Sequence, residues 1–302
     1  GKGGDMFTFI EEMEGVDFLG ALKILAEKAH IPLEREEKGA RDQRERTYSA
    51  LTEAAKFFVH NLKKRSDAKE YLKERGLSEE SIDAWDVGYA PKDWQALRDH
   101  LVARGFTDYE LERAGLVTRP DGEDKDAPRY YDRFRGRIIF PIHDLSGRVI
   151  GFSGRIFPAS SEGGSAFGRE EYREAKYINS PETSVFDKSK TLYGLDRARD
   201  GIRALNSSLL VEGQIDLLSV HQGGFRNAVA LSGTAFTEKH AEILKRYSSN
   251  LLITFDGDRA GIAAAGRAAA LALPLGMNVK VAKLPPDTDP ADLLKENKPI
   301  FK

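Results

Sequence analysis

Two short apolar runs that stop at acidic residues constrain this chain more than any other feature. Leu209-Leu210-Val211 runs into Glu212 and Gly213, and a segment with helical spacing follows. Leu251–Phe255 repeats the design and stops at Asp256 and Asp258. Apolar runs of this length bounded by turn signals read as buried strands. Strands that end in carboxylates and lead into helices predict a parallel sheet, with the ligand site beyond the strand C-termini. Carboxylates gathered there suit a hard divalent cation, because their oxygens match Mg2+ or Mn2+. The stretch therefore predicts a site for phosphoryl chemistry.

The rest of the chain is organised around that stretch. Asn227–Ser232 and Asn278–Leu284 supply further strands, while Thr237–Arg246 and Ala260–Leu273 read as the helices between strands. This makes 206–302 an α/β domain with a mainly parallel sheet flanked by helices. Residues 47–205 read as a mixed α+β subdomain. Helices carry it to Gly115, and RFRGRIIFPIHD with GRVIGFSGRIF then forms an arginine-rich hairpin. Residues 1–33 hold two short helices, and the nearly all-polar stretch 34–46 reads as a hinge or linker.

Charge indicates where a polyanion would sit. The net charge of -2 gives no global basic signal. Residues 129–203, however, hold 14 Lys+Arg against 10 Asp+Glu, whereas residues 1–128 hold 21 against 28. A nucleic-acid surface is thus expected in the middle third. The absence of cysteine excludes disulfides and thiolate metal sites, and it fits a reducing compartment. No apolar run reaches the length of a membrane span.

Within the α/β domain the carboxylate spacing carries the chemistry. Asp256 and Asp258 are one residue apart, so on a straight strand they would face one side. Gly257 between them allows a tight turn and the approach of a phosphate. Asp216 follows Glu212 in the first turn of a helix, and Asp287 and Asp289 repeat the one-residue spacing. Carboxylates crowded this way repel unless a cation or solvent offsets them. A solvated acidic loop is the alternative for Asp287 and Asp289. His143 and His240 lack partners at metal spacing and read as structural.

These motifs resemble the Toprim fold of primases, topoisomerases and some nucleases, and most of all bacterial DnaG-type DNA primase. VEGQIDLL is similar to the Toprim glutamate motif, TFDGDRAGIAA to the Asp-Gly-Asp segment and LPPDTDPADLL to the later paired aspartates. YLKERGLS, RFRGRIIFPIHDLSGRVIGFSGR and KYINSPETSVFDKSKTLYGL add upstream primase signatures. The resemblance covers almost the whole chain. It implies RNA primer synthesis by nucleotidyl transfer from NTPs on a single-stranded DNA template, in the cytoplasm at the replication fork.

By the same resemblance Glu212, Asp256 and Asp258 are catalytic. These three, with Asp216, Asp287 and Asp289, would hold Mg2+ or Mn2+, and Glu212 is either a metal ligand or a proton acceptor. Arg75, Arg133, Arg135, Arg155, Lys176, Asn179 and Lys188 would form the template and nucleotide surface. Arg133, Arg135 and Arg137 alternate, so on a strand all three would project from one face. Tyr177 is either a base-stacking platform or a packing residue. The family pattern also implies a zinc-ribbon domain before residue 1, so zinc belongs only to that absent part. A helical bundle and a helicase-binding domain would follow residue 300. A Toprim nuclease and a non-catalytic DNA-binding scaffold are the rival readings. The upstream signatures argue against the first, and the retained acids argue against the second.

Overall fold

The structure is a computed structural model that describes residues 4–29, 38–119, 130–157, 175–285 and 288–295. It divides into two units, residues 1–43 and 44–302. In the first unit, α1 (Met6–Glu14) starts at Asp5, whose carboxylate accepts from Phe7 N and Thr8 N. Gly15, in the left-handed region at φ 65°, ends it. Asp17 caps α2 (Phe18–Lys28) in the same way, accepting from Gly20 N, and the Phe7 and Phe18 rings lie 5.2 Å apart.

The helix α3 (Lys38–Lys63) begins within the stretch expected to be a linker. Residues 34–37 lie outside the described residues, but 38–46 are helical. Arg46 shows one reason, because its guanidinium donates to both oxygens of Glu110 at 2.6 and 3.1 Å, donates to Gly105 O, and lies over the Phe106 ring. Polar composition therefore marks a solvated helical face here. The other face buries Ala50, Leu51, Ala54 and Phe58 against Leu97, Leu101 and Phe152.

Short elements follow: α4 (Ser66–Glu74), α5 (Glu79–Ala84), β1 (Gly88–Ala90), α6 (Ala96–Val102), α7 (Asp108–Arg113), β2 (Val117–Thr118) and β3 (Tyr131–Asp132). The expected hairpin is β4 (Arg137–His143) and β5 (Val149–Ile156), paired antiparallel. With β6 (Tyr177–Asn179) it completes an antiparallel sheet of order β1-β4-β5-β6. The three alternating arginines do not share a strand. Arg133 and Arg135 lie between β3 and β4, Gly136 turns the chain at φ 59°, and only Arg137 enters the sheet. Arg137 is buried, donating to Gly154 O and Ala175 O.

After α8 (Leu195–Leu205) come β7 (Ser208–Val211), α9 (Gln214–Gln222), β8 (Ala228–Ala230), α10 (Glu238–Lys245), β9 (Asn250–Ile253), α11 (Arg259–Ala272), β10 (Asn278–Val281) and α12 (Pro290–Lys295). Their sheet has order β10-β9-β7-β8, and every pairing is parallel. Strand alternation divides the core. Leu209 and Val211 pack with Trp85, Tyr89, Ile138 and Phe140 of the antiparallel half, while Leu210 packs with Ile253, Ala265 and Ala268. One continuous apolar cluster thus fixes the antiparallel sheet against the parallel one, and it sets the position of everything at the parallel strands' carboxyl ends.

Candidate active site

β7 and β9 are the inner strands of the parallel sheet, so the residues that follow them emerge side by side. Asp256 N donates to Glu212 Oε1 at 3.2 Å. Close packing enforces this contact. A Cβ on Gly261, in the first turn of α11, would stand 2.3 Å from Asp256 O and 2.9 Å from Glu212 Oε1. A Cβ on Gly257 would stand 2.1 Å from Pro285 O. Asp256 and Asp258 lie beyond β9, which ends at Ile253, so they do not share a strand face as their spacing suggested. Instead Asp258 is exposed and caps α11, accepting from Gly261 N at 2.7 Å.

A cavity of about 260 Å³ opens beside this pair. Glu212, Asp216, Asp256 and Asp289 supply its acidic wall, and Arg75, Arg155 and Lys176 line the same cavity. Asp216 arrives on the first turn of α9. Asp289 arrives at the start of α12, where its Oδ1 accepts from Asp292 N at 2.7 Å. Its Oδ2 lies 3.7 Å from Arg75 Nη2. Asp258 is not on this wall, although its charge acts on both Glu212 and Asp256. Asp287 lies outside the described residues.

Burial raises the proton affinity of the acidic wall, and mutual repulsion adds to it. The Asp216 carboxyl is pushed up to about 7 by burial, then by the charges of Asp289 and Asp256. Asp256 is pushed up to about 6 by burial, then by Glu212, Asp289 and Asp258, with Lys176 opposing. Glu212 is raised by burial, with the Asp258 charge adding to it.

Three observations bear on a divalent cation. The donors are hard carboxylate oxygens, Asp256 Oδ1 is buried without a hydrogen-bond partner, and a cation would relieve the repulsion. Among the described residues, however, no three acidic or imidazole side chains gather closely enough to hold a metal alone. The residues therefore fit an open site, in which water and substrate phosphates supply most of the ligands, as Mg2+ favours.

The expected template residues are dispersed. Arg155 is buried, donating to Tyr71 Oη at 2.8 Å and to Tyr177 Oη at 2.6 Å, so Tyr177 orients an arginine here. Lys176 is exposed at the cavity. Arg133 is partly buried and donates through Nε to Asn179 O at 3.0 Å. Arg135 donates to Asp132 O, and its guanidinium lies 4.2 Å above the exposed Trp94 ring and 4.9 Å above Tyr131. None of Arg133, Arg135, Asn179 and Lys188 lines the cavity. His240 completes the capping box of α10, and its Nε2 lies 3.0 Å from Lys188 O, in keeping with a structural role.

Sequence reasoning passed over several residues at the site. Ser153 lines the cavity, fully buried on β5, with its hydroxyl unpartnered. Gly233, at φ 69°, also lines it, and a Cβ there would stand 2.2 Å from Asn179 Nδ2. A Ser-Gly-Thr turn after an apolar strand was the only available signal for Gly233. Glu212 also borders a second cavity of about 270 Å³, walled by Phe236, Phe255 and Leu271 and bordered by Arg267.

A parallel sheet with carboxylates beyond its inner strands, set against an antiparallel α+β half, defines a Toprim-containing catalytic core. A family model described as Toprim-like matches residues 209–294, and one described as DNA primase catalytic core, N-terminal domain, matches residues 57–199. The chain is 36% identical to a DNA primase of Clostridium acetobutylicum over 302 residues, which is 98% of this chain and 47% of the relative. A crystal structure of a DNA primase domain from Pseudomonas aeruginosa is 39% identical and superposes with a TM-score of 0.71, covering 83% of this chain and 74% of that one. A DnaG primase catalytic domain bound to ssDNA is 35% identical with a TM-score of 0.69, covering 85% of this chain and 76% of that one. The chain belongs to the DnaG-type DNA primase family, within its catalytic core. It spans about half the length of the curated relatives it matches.

Proposed function

We propose that this chain is the core that joins ribonucleotides into RNA primers on a single-stranded DNA template. The observation that carries the proposal is a cavity lined by four carboxylates together with Arg75, Arg155 and Lys176. An acidic wall suits cations, a basic wall suits phosphates, and nucleotidyl transfer brings the two together. The primer 3′-hydroxyl attacks the α-phosphorus of the incoming NTP, the bond to the bridging oxygen breaks, and pyrophosphate leaves.

Each wall has a distinct part in that reaction. Glu212 and Asp256 would hold Mg2+ or Mn2+, with Asp216, Asp258 and Asp289 near them, and the cation would neutralise charge at the transferring phosphorus. Lys176 and Arg75 bind the triphosphate oxygens, Lys176 as a point charge and Arg75 as a fork. Arg155, fixed by two tyrosine hydroxyls, presents a preorganised charge. Acceptance of the hydroxyl proton is the alternative role for Glu212 if it does not ligate the cation.

The template would run over the basic middle of the chain, through Arg133, Arg135, Asn179 and Lys188, chiefly by phosphate contact with little sequence readout. The exposed Trp94 beside Arg135 offers a stacking surface for an unpaired base. The proposed setting is the cytoplasmic replication fork, with a replicative helicase as a partner. Among the described residues no helix is long and apolar enough to cross a membrane. Template-dependent incorporation of labelled NTPs with Mn2+ tests the reading. Growing RNA products support it, whereas shortening of the DNA would favour a nuclease and tight binding without either would favour a scaffold.

A further inference from the structure

The residue that this reading leaves half explained is Arg75. It follows α4, and its backbone N–H donates to Tyr71 O and Lys73 O, which fixes the base of the side chain. Its guanidinium lines the cavity beside Asp289. There Nη2 stands 3.7 Å from Asp289 Oδ2, close enough for an ion pair and too far for a hydrogen bond. Nε is buried with no partner. A guanidinium has five donors arranged for two-point contact with carboxylate or phosphate, and here it uses that capacity loosely.

Asp289 is held from two sides. Oδ1 accepts from Asp292 N in the first turn of α12, and Oδ2 is the oxygen nearest Arg75. Two consequences follow from charge alone. With no cation present, the guanidinium is the positive charge paired with this carboxylate. When a cation arrives, the guanidinium repels it and competes for the same oxygen. A nucleotide triphosphate resolves the competition, because its oxygens offer the guanidinium the two-point contact that Asp289 does not.

We propose that Arg75 is a positioning residue acting as a tethered counter-cation. It holds Asp289 Oδ2 while the cavity lacks nucleotide, and it passes to the triphosphate when cation and nucleotide enter together. Cation binding thereby becomes coupled to nucleotide binding. The inference rests on the proposed function for the location of the cation, but it concerns an exchange which that function does not require.

Mn2+ titrations followed by the electron paramagnetic resonance of free Mn2+ test it, without nucleotide and with a non-hydrolysable NTP. Removing a unit positive charge beside the acidic wall should tighten nucleotide-free Mn2+ binding by about tenfold in Arg75→Gln. Arg75→Lys should bind Mn2+ like the parent protein, and Asp289→Asn added to Arg75→Gln should erase the gain. The increase in Mn2+ affinity produced by the nucleotide should shrink in Arg75→Gln. Equal or weaker nucleotide-free Mn2+ binding by Arg75→Gln would overturn the proposal and leave the catalytic reading intact. Absence of Mn2+ binding by every variant, even with nucleotide, would overturn both. Melting curves for each variant confirm that the compared proteins are folded.

Discussion

Replacing Asp256 with asparagine should stabilise the protein while abolishing its chemistry. In the folded chain the Asp256 carboxyl is pushed up to about 6 from 3.8, first by burial and then by Glu212, Asp289 and Asp258. At about 1.36 kcal/mol per pKa unit, a shift of about two units corresponds to roughly 3 kcal/mol. Partial exposure and salt screening reduce the expected effect to about 1–2 kcal/mol. Because the folded value is the higher one, the native state holds this proton over a range where the unfolded chain has lost it. Stability is therefore greatest below the unfolded value, falls as pH rises towards about 6, and levels off above it. Asparagine does not titrate. The advantage of Asp256→Asn should thus be absent near pH ~3 and complete near pH ~8. There it should appear as a rise in Tm of about 3–6 °C. Thermal melts in chelator across that pH range measure it, and added Mn2+ should narrow the gap by stabilising the parent protein. A variant that melts lower than the parent near about pH 8 would show that the ionised carboxylate makes favourable contacts, and the argument from crowding would fail.

Three further outcomes follow from other parts of the molecule. Glu110, held at about 2 first by its bond from Arg46, contributes stability present above its unfolded value of 4.5 and lost as pH falls towards about 2. Glu110→Gln should cost about 1 kcal/mol in urea melts at neutral pH and nothing near about pH 2. Lys176→Ala should weaken binding of single-stranded DNA or NTP on every sequence tested, and the slope of log affinity against log salt should become shallower by about 0.7 for a lost single-strand phosphate contact, as read by fluorescence anisotropy. The Cβ of Gly257→Ala would collide with Pro285 O, so primer synthesis should fall more than about a hundredfold, or about 3 kcal/mol in barrier, while the melting temperature drops only modestly.

The parts of this fold that were legible in the sequence are those where burial sets the pattern. Leu209–Val211 and Leu251–Ile253 had to be strands because both faces of the parallel sheet are covered, so their apolar runs are uninterrupted. The acids beyond them stood out against that background. The stretch 38–46 did not, because its charged residues serve a helix whose anchor, Arg46, finds its partners 59 and 64 residues away. Arg133, Arg135 and Arg137 misled for a related reason. Alternation implies a shared face only on a continuous strand, and Gly136 at a positive φ breaks the strand between them. The two roles of Asp289, capping a helix and facing Arg75, were hidden because each partner is set by tertiary position. Ser153 gave no signal at all, since nothing in its neighbours distinguishes a cavity-lining hydroxyl from a buried one.

If the cavity lined by the acidic and basic residues is the catalytic centre, a cation and a triphosphate bind there together. Crystals soaked with Mn2+ and a non-hydrolysable NTP, with data collected at the manganese edge, give the cation's position from anomalous scattering. An anomalous peak should lie within about 2.0–2.3 Å of Asp256 Oδ1 or a Glu212 oxygen, with the triphosphate lying towards Lys176. A peak outside the cavity, or a triphosphate bound away from Lys176 with no manganese near Asp256, would contradict that assignment.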